Sequence, residues 1–355
     1  MKRTALTTIF VFSASMMFSS CANEEILNTY NGTLDTHTIF NITVAHNTRT
    51  KGADTKFAYD TEKMNSCLDS DVALSLVGSD KEKGNILVDN IPVFERNGVR
   101  MADIHTSSFS SGYMVANAFY PYVSSVSYRE DGSYAVSFTP NDIERGPLAS
   151  QEVVIRNDQE FETVNLKFHH IANNLGFKIC DMTSDDQLKG LIHIRKVVLH
   201  GIPTEGLYVC NGEDWQWVPN AKRQEIVIFE GDEYLQVGAE NALYLGNDKL
   251  TENESECNRN FVVPEELTEG KHFLEVVFDV DPFDYEGSHY GALAGRTNKI
   301  PLSGVIPDDT FELGLQYTFT LGVNLNSVYK AVQFSATVQD WEENYDSRVL
   351  DFDNE

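Results

Sequence analysis

Positive charge is scarce in this chain. Its 355 residues carry 27 Lys and Arg against 54 Asp and Glu, a formal net charge of -27. So acidic a surface repels nucleic acid and anionic lipid, and both are set aside as ligands. The acids are scattered rather than gathered into one tail, the pattern of a soluble, self-repelling surface. Cysteine is sparse as well. After Cys21 come only Cys67, Cys180, Cys210 and Cys257, spaced by 113, 30 and 47 residues. No CxxC pair exists, so zinc ribbons and thioredoxin-type redox chemistry have no basis. Cys180 and Cys210 read as isolated buried thiols, although an exported compartment would permit a bridge between them. Long amphipathic helical patterns, repeats of fixed period and low-complexity segments are all missing.

The signatures of catalysis are missing too. There is no HExxH and no GxSxG elbow. Gly270-Lys271 has Glu265 where a phosphate-binding loop needs its first Gly. His169-His170 invites a metal reading, but adjacent residues of a strand point to opposite faces and do not readily chelate one ion. One His at a core edge and one in solvent is the simpler reading. Asp279, Asp281, Asp284 and Glu286 cluster before Gly287, yet Phe283 stands where an EF-hand requires an oxygen ligand. An acidic loop accounts for them. No enzyme activity, cofactor or metal is therefore expected.

What is present begins with a leader. Lys2 and Arg3 precede an uncharged, largely apolar stretch, residues 5–18, and then Ser19-Ser20-Cys21. This is the layout of a secretory signal, and at about 14 residues the stretch is too short to cross a bilayer comfortably. A Cys after two small residues resembles a bacterial lipobox, with Phe18 standing where Leu is usual. The expectation is a signal peptide over residues 1–20 and acyl chains on Cys21 that tether the chain to a membrane. The alternative is a signal cut near Cys21 without lipid. Residues 21–37 read as a tether, and Glu24 and Glu25 resemble a surface-export signal of some Gram-negative lipoproteins.

Beyond the tether, strand follows strand. Phe40, Ile42 and Val44 alternate with polar residues. So do Tyr134, Val136 and Phe138; Val164, Leu166 and Phe168; Leu274, Val276, Phe278 and Val280; Tyr317, Phe319, Leu321 and Val323; and Val332, Phe334, Ala336 and Val338. Period-2 alternation puts one face of a strand on a core and the other in water. Asn97-Gly98, Asp131-Gly132 and Asn211-Gly212 mark turns between such runs. Short helical turns are expected over residues 170–175 and 264–268. The pattern predicts an all-β chain of two antiparallel β-sandwich domains, residues 38–163 and 164–355.

Particular residues carry a resemblance. After the early strand come Asn47-Thr48-Arg49 and later Ala118-Phe119-Tyr120-Pro121-Tyr122. Val164-Asn165-Leu166-Lys167-Phe168-His169-His170-Ile171-Ala172 leads on to Leu175-Gly176-Phe177-Lys178-Ile179. Ile194-Arg195-Lys196-Val197-Val198-Leu199 is followed by Gly201-Ile202, and Tyr317-Thr318-Phe319 precedes a last strand ending in Asp340-Trp341. Together with the lipobox, this order resembles the fimbrillin family of type V pilus subunits, and within it the Mfa-like lipoproteins, over nearly the whole mature chain. The resemblance implies two tandem transthyretin-like sandwiches and a structural role without a cofactor. It also implies transport to the outer membrane as a lipoprotein and cutting by an Arg-specific protease. Exchange of strands with other pilus subunits would follow, in support of cell adhesion at the surface.

Under that resemblance Phe40, Ile42 and Val44 belong to a removable strand, and cleavage falls between Arg49 and Thr50, in a polar stretch of the kind a protease needs. Two donors are open. The tail after Trp341 offers Val349, Leu350 and Phe352, broken by acids; residues 332–338 alternate cleanly but suit the sandwich itself. Shaft, tip and anchor positions are equally open. A competing reading is a surface glycan-binding lipoprotein that does not polymerise, with Trp215, Trp217, Tyr285 and Tyr290 as its platform. On the first reading the mature surface protein begins at Thr50. N-terminal sequencing of surface-extracted material that still showed residues 22–49 would remove it.

Overall fold

The computed structural model describes residues 37–48, 56–59, 74–80, 85–96, 99–104, 112–129, 133–143, 146–156, 163–211, 214–220, 223–325 and 332–340. All lie in the unit Thr36–Glu355. Among the described residues regular structure is β-strand, with a few single-turn 3-10 helices and no α-helix. The chain is all-β, as its alternation predicts.

The first part comprises β1 (His37–Thr48), β2 (Lys56–Tyr59), β3 (Leu74–Asp80), β4 (Asn85–Arg96), β5 (Val99–Asp103), β6 (Tyr113–Tyr120), β7 (Val126–Tyr128), β8 (Tyr134–Phe138), β9 (Leu148–Ser150), β10 (Val153–Arg156) and β11 (Thr163–His170). One sheet runs β10-β6-β3-β4-β5-β1-β11-β9, with β2 added on β1. β9 also pairs with β6, Phe119 opposite Ala149 and Tyr120 opposite Leu148, so the hydrogen-bonded path closes on itself. Such closure leaves no free edge along the ring. Within it lie Leu74, Leu76, Val93, Met114, Leu166 and Phe168, all buried. The alternate residues Val77 and Phe119 face a second apolar cluster with Tyr134, Val136 and Phe138. Both faces of β3 and β6 are therefore buried, and β6 reads as a nearly continuous apolar run.

The second part comprises β12 (Asn173–Asp181), β13 (Ile192–His200), β14 (Gly206–Asn211), β15 (Asp214–Pro219), β16 (Ile226–Tyr234), β17 (Leu243–Leu245), β18 (Leu250–Thr251), β19 (Asn260–Val262), β20 (Phe273–Val280), β21 (Phe283–Tyr285), β22 (Ser288–Tyr290), β23 (Leu293–Pro301), β24 (Gln316–Leu325) and β25 (Val332–Asp340). One sheet has the order β18-β17-β12-β24-β25, with β19 also on β12; another has β16-β13-β20-β23. Their inner faces share one apolar cluster that includes Phe177, Ile194, Val276 and Phe319. β20 alternates buried and half-buried residues along its whole length. β21 and β22 form a small ribbon.

β14 and β15 join β8 and β7 in a four-stranded antiparallel sheet. β11 starts at Thr163, where the domain division is expected, and belongs to the first sheet. Only Ile171 and Ala172 separate β11 from β12, and both are buried. No helical turn occupies residues 170–175. Ile171 is held in the apolar cluster between the sheets, and the Asn173 side chain donates to the Glu312 and Leu315 carbonyls, which draws the chain straight into β12. Residues 264–268 are not helical either; Glu266 bridges to Thr310. Gly146 has φ +70 and lies so close to Phe261 that a Cβ there would run into the ring. Asn141, in the adjoining turn, accepts from the Phe261 amide at 3.1 Å and so ties the first part to β19.

Phe177 and Phe319 stack at the centre of the second core, centroids 5.4 Å apart and planes within 17°. Phe319→Ala is expected to cost about 3–5 kcal/mol, read as a lower denaturation midpoint with an unchanged slope in urea.

Candidate functional site

The seat of β1 is the feature that distinguishes the first sheet. β1 runs parallel to β11 from Ile39 opposite Thr163 to Ala45 opposite His169. It runs antiparallel to β5, from His37 opposite Asp103 to Phe40 opposite Arg100. Its far end runs antiparallel to β2, from Ala45 opposite Tyr59 to Thr48 opposite Lys56. Phe40, Ile42 and Val44 stand opposite Val164, Leu166 and Phe168, and the side chains of those three β11 residues are buried in the ring. Asn165 and Lys167, on the alternate phase of β11, are exposed. One row of the seat is thus apolar and inward, the other polar and outward, as period-2 geometry requires.

His169 breaks that pattern, being outward in phase yet buried. Burial disfavours the imidazolium and lowers its pKa from 6.5 to about 4. His170 is half-buried. The two histidines follow one another along a single strand.

The remaining sequence candidates are placed as follows. Cys21, Arg49, Thr50, Val349, Leu350 and Phe352 lie outside the described residues. Residues 332–338, the other candidate donor, lie within β25, which pairs with β24 over nine positions from Val332 opposite Leu325 to Asp340 opposite Tyr317. Cys180 and Cys210 are buried and are not bridged to each other, and Cys257 is half-buried. Trp217 packs on Tyr208 at 5.3 Å and Phe138 at 6.3 Å, and its indole N–H donates to the Ile171 carbonyl. Tyr285 and Tyr290 are in the β21–β22 ribbon, where Tyr285 donates to Asp185 at 2.8 Å and Tyr290 stacks on Phe283 at 4.9 Å. Trp217 and the two tyrosines therefore belong to different sheets. The side chain of Trp215 is outside the described residues.

Three of the four acids near Gly287 have side-chain partners. Asp279 accepts from the Gly295 amide at 2.7 Å and Arg195 Nε at 2.6 Å, which hold its carboxyl below the usual range. Asp281 meets His193 at 3.1 Å, and Asp284 meets His289 at 2.8 Å. Among the described residues no group of three or more His, Cys, Asp or Glu is arranged to hold a metal ion. No described helix is long and apolar enough to cross a membrane.

Sequence reasoning missed two arrangements. One is the pairing of β1 with β11, β5 and β2 at once. The other is a buried polar group in the second part, where Arg223 donates to both oxygens of Glu265 and His272 Nε2 lies 3.0 Å from the same carboxylate. The Thr268 amide donates to His272 Nδ1 at 2.7 Å, so the ring proton sits on Nε2 and points at Glu265.

No protein-family model matches the chain, and no curated protein sequence does. Solved structures do. A fimbrial protein from Bacteroides vulgatus ATCC 8482 is similar with a TM-score of 0.52 at 13% identity, over 85% of this chain and 98% of that one. A candidate cell adhesion protein from Bacteroides uniformis ATCC 8492 gives 0.47 at 14% identity, over 88% and 100%. The chain shares its fold with the first of these.

The buried imidazole of His169 makes stability depend on pH. Unfolded, it takes up a proton near pH 6.5; folded, near 4. The stability it contributes is complete above 6.5 and is lost as pH falls toward 4, on the order of 3 kcal/mol in all. His169→Asn is expected to flatten the fall of melting temperature between those pH values; an unchanged profile would remove His169 as its source.

Proposed function

We propose that this chain is a structural or accessory subunit of a type V pilus that supports cell adhesion. In this reading it reaches the outer membrane as a lipoprotein on Cys21. An Arg-specific protease cuts between Arg49 and Thr50, and subunits then join by strand exchange. The observation that carries the proposal is the seat of β1, a strand near the N-terminus inserted between β5 and β11. Arg49 and Thr50 follow its last residue directly. One cut there would leave β1 held by hydrogen bonds and packing alone. Its departure would open the facing edges of β5 and β11 and strip the neighbours from the row Val164, Leu166 and Phe168. An extended segment from another subunit restores both, its main chain supplying affinity and its alternate side chains supplying register.

The leader, the lipobox-like Cys21 and the fold shared with the Bacteroides vulgatus fimbrial protein support this reading. The tail after Trp341 and β25 are the two donors this chain offers. The role is mechanical and calls for no cofactor, and the net charge of -27 suits a surface that meets water and other subunits rather than nucleic acid. Strand-exchanged polymers are expected to run as a ladder in mild SDS and to collapse to a single band on boiling. A chain that ran as a monomer in mild SDS after cleavage at Arg49, and shifted in a polysaccharide-retardation gel, would instead be the glycan binder.

A further inference from the structure

The register of β1 fixes which neighbours share an edge. Ile39 and Phe40 pair with β5 and β11 simultaneously, so those two strands flank β1 on opposite sides. Ala45 pairs with β2 and β11 simultaneously, so β2 and β11 are also on opposite sides. β5 and β2 therefore lie end to end along the same edge of β1. Between them residues 41–44 have no strand on that edge among the described residues.

The hold on β1 is consequently uneven. Residues 39, 40 and 45 are paired on both edges, residues 37 and 38 with β5 only and, among the described residues, residues 41–44 on the β11 edge only. Residues 46–48 are paired with β2 only, and β2 has no other strand partner among the described residues. At the other end residues 37 and 38 rest on β5, which is itself paired with β4, so the more weakly held end is the one that meets Arg49. From this we infer that replacement of β1 has a direction: it opens at the Thr48 end, beside His169, and closes at the Ile39 end, beside Thr163. The inference rests on the strand-exchange reading above and deepens it.

The same geometry defines the incoming segment. It is an extended peptide running parallel to β11, in the direction of β1 itself. It needs seven residues to match Thr163 through His169, and three more past the His169 position to keep β2 paired. A segment of seven residues fills the ring but leaves β2 only the pairing at Tyr59. β2 is thus part of the seat, although it is the chain's own first strand after the cut. The mid-strand gap opposite residues 41–44 lets one edge of the newcomer be completed in two separate pieces, first against β2 and last against β5.

Hydrogen exchange read by mass spectrometry on the uncut full chain tests this difference. Amides of residues 46–48 are expected to exchange before those of residues 37–40, with roughly tenfold or more between the two ends. Uniform or reversed protection overturns the inference, whether or not the protein polymerises. A second measurement uses the chain nicked after Arg49 and challenged with labelled synthetic peptides of residues 37–48. Removing residues 46–48 from the peptide is expected to slow its uptake roughly tenfold. Removing 37 and 38 is expected to leave uptake rate nearly unchanged and to shorten retention. Equal uptake by the two truncated peptides, or the opposite order, overturns the inference while leaving strand exchange standing. Refusal of every peptide by the nicked chain removes the strand-exchange reading, and hydrogen exchange of the uncut chain still decides whether the hold on β1 is uneven.

Discussion

An extended backbone carries a donor and an acceptor at nearly every residue, and those shielded from water must be paired. In this protein that requirement converges on β1. The ring β6-β3-β4-β5-β1-β11-β9 closes only because β1 supplies hydrogen bonds to β5 on one side and β11 on the other. Without it the first apolar cluster would be bounded by two open edges. Strands elsewhere in the fold are secured differently. β12, β13, β20 and β24 place their inward residues in one shared cluster and lie away from the sheet edges. Closure of the first ring thus rests on one strand near the N-terminus, whereas the second part is built around a shared core.

The charge distribution fits that division. With 54 acids the surface is soluble and repels copies of itself. Nonspecific sticking is suppressed, and close association has to come from a directional contact, such as main-chain pairing, whose strength does not depend on surface charge. Local ion pairs such as Arg195 with Asp279 and Lys196 with Glu230 at 3.1 Å trim the repulsion on the β16-β13-β20-β23 sheet. Being exposed or nearly so, they add little to stability.

How much of this was legible follows from what period 2 encodes. Alternation at Tyr134, Val136 and Phe138, or at Tyr317, Phe319, Leu321 and Val323, tells which face of a strand is buried, and the structure buries those residues. It does not tell which strand lies alongside. Nothing in Phe40, Ile42 and Val44 announces a parallel partner well over a hundred residues away at Val164, Leu166 and Phe168. β14 and β15 joining β8 was illegible for the same reason. The passage through residues 170–175 went wrong because Ile171 answers to an apolar cluster formed by distant strands, not to its neighbours in sequence. The Arg223, Glu265 and His272 group had no signal, since its members meet only after the loops fold together. Trp217 read more readily as packing than as a sugar platform, and its indole N–H, committed to the Ile171 carbonyl, agrees with packing.

The short link between β11 and β12 has a mechanical consequence. With only Ile171 and Ala172 between them, the strand that cradles β1 continues almost at once into the strand that lies parallel to β24 over eight register positions, Asn174 opposite Gln316 to Asp181 opposite Val323. Tension applied along β11 is therefore delivered to a sheet pulled lengthwise, where the cross-strand bonds share the load and fail together rather than one after another. The Trp217 and Asn173 contacts at the link keep it from paying out slack. A force entering at the first sheet reaches the second part through a taut line of backbone.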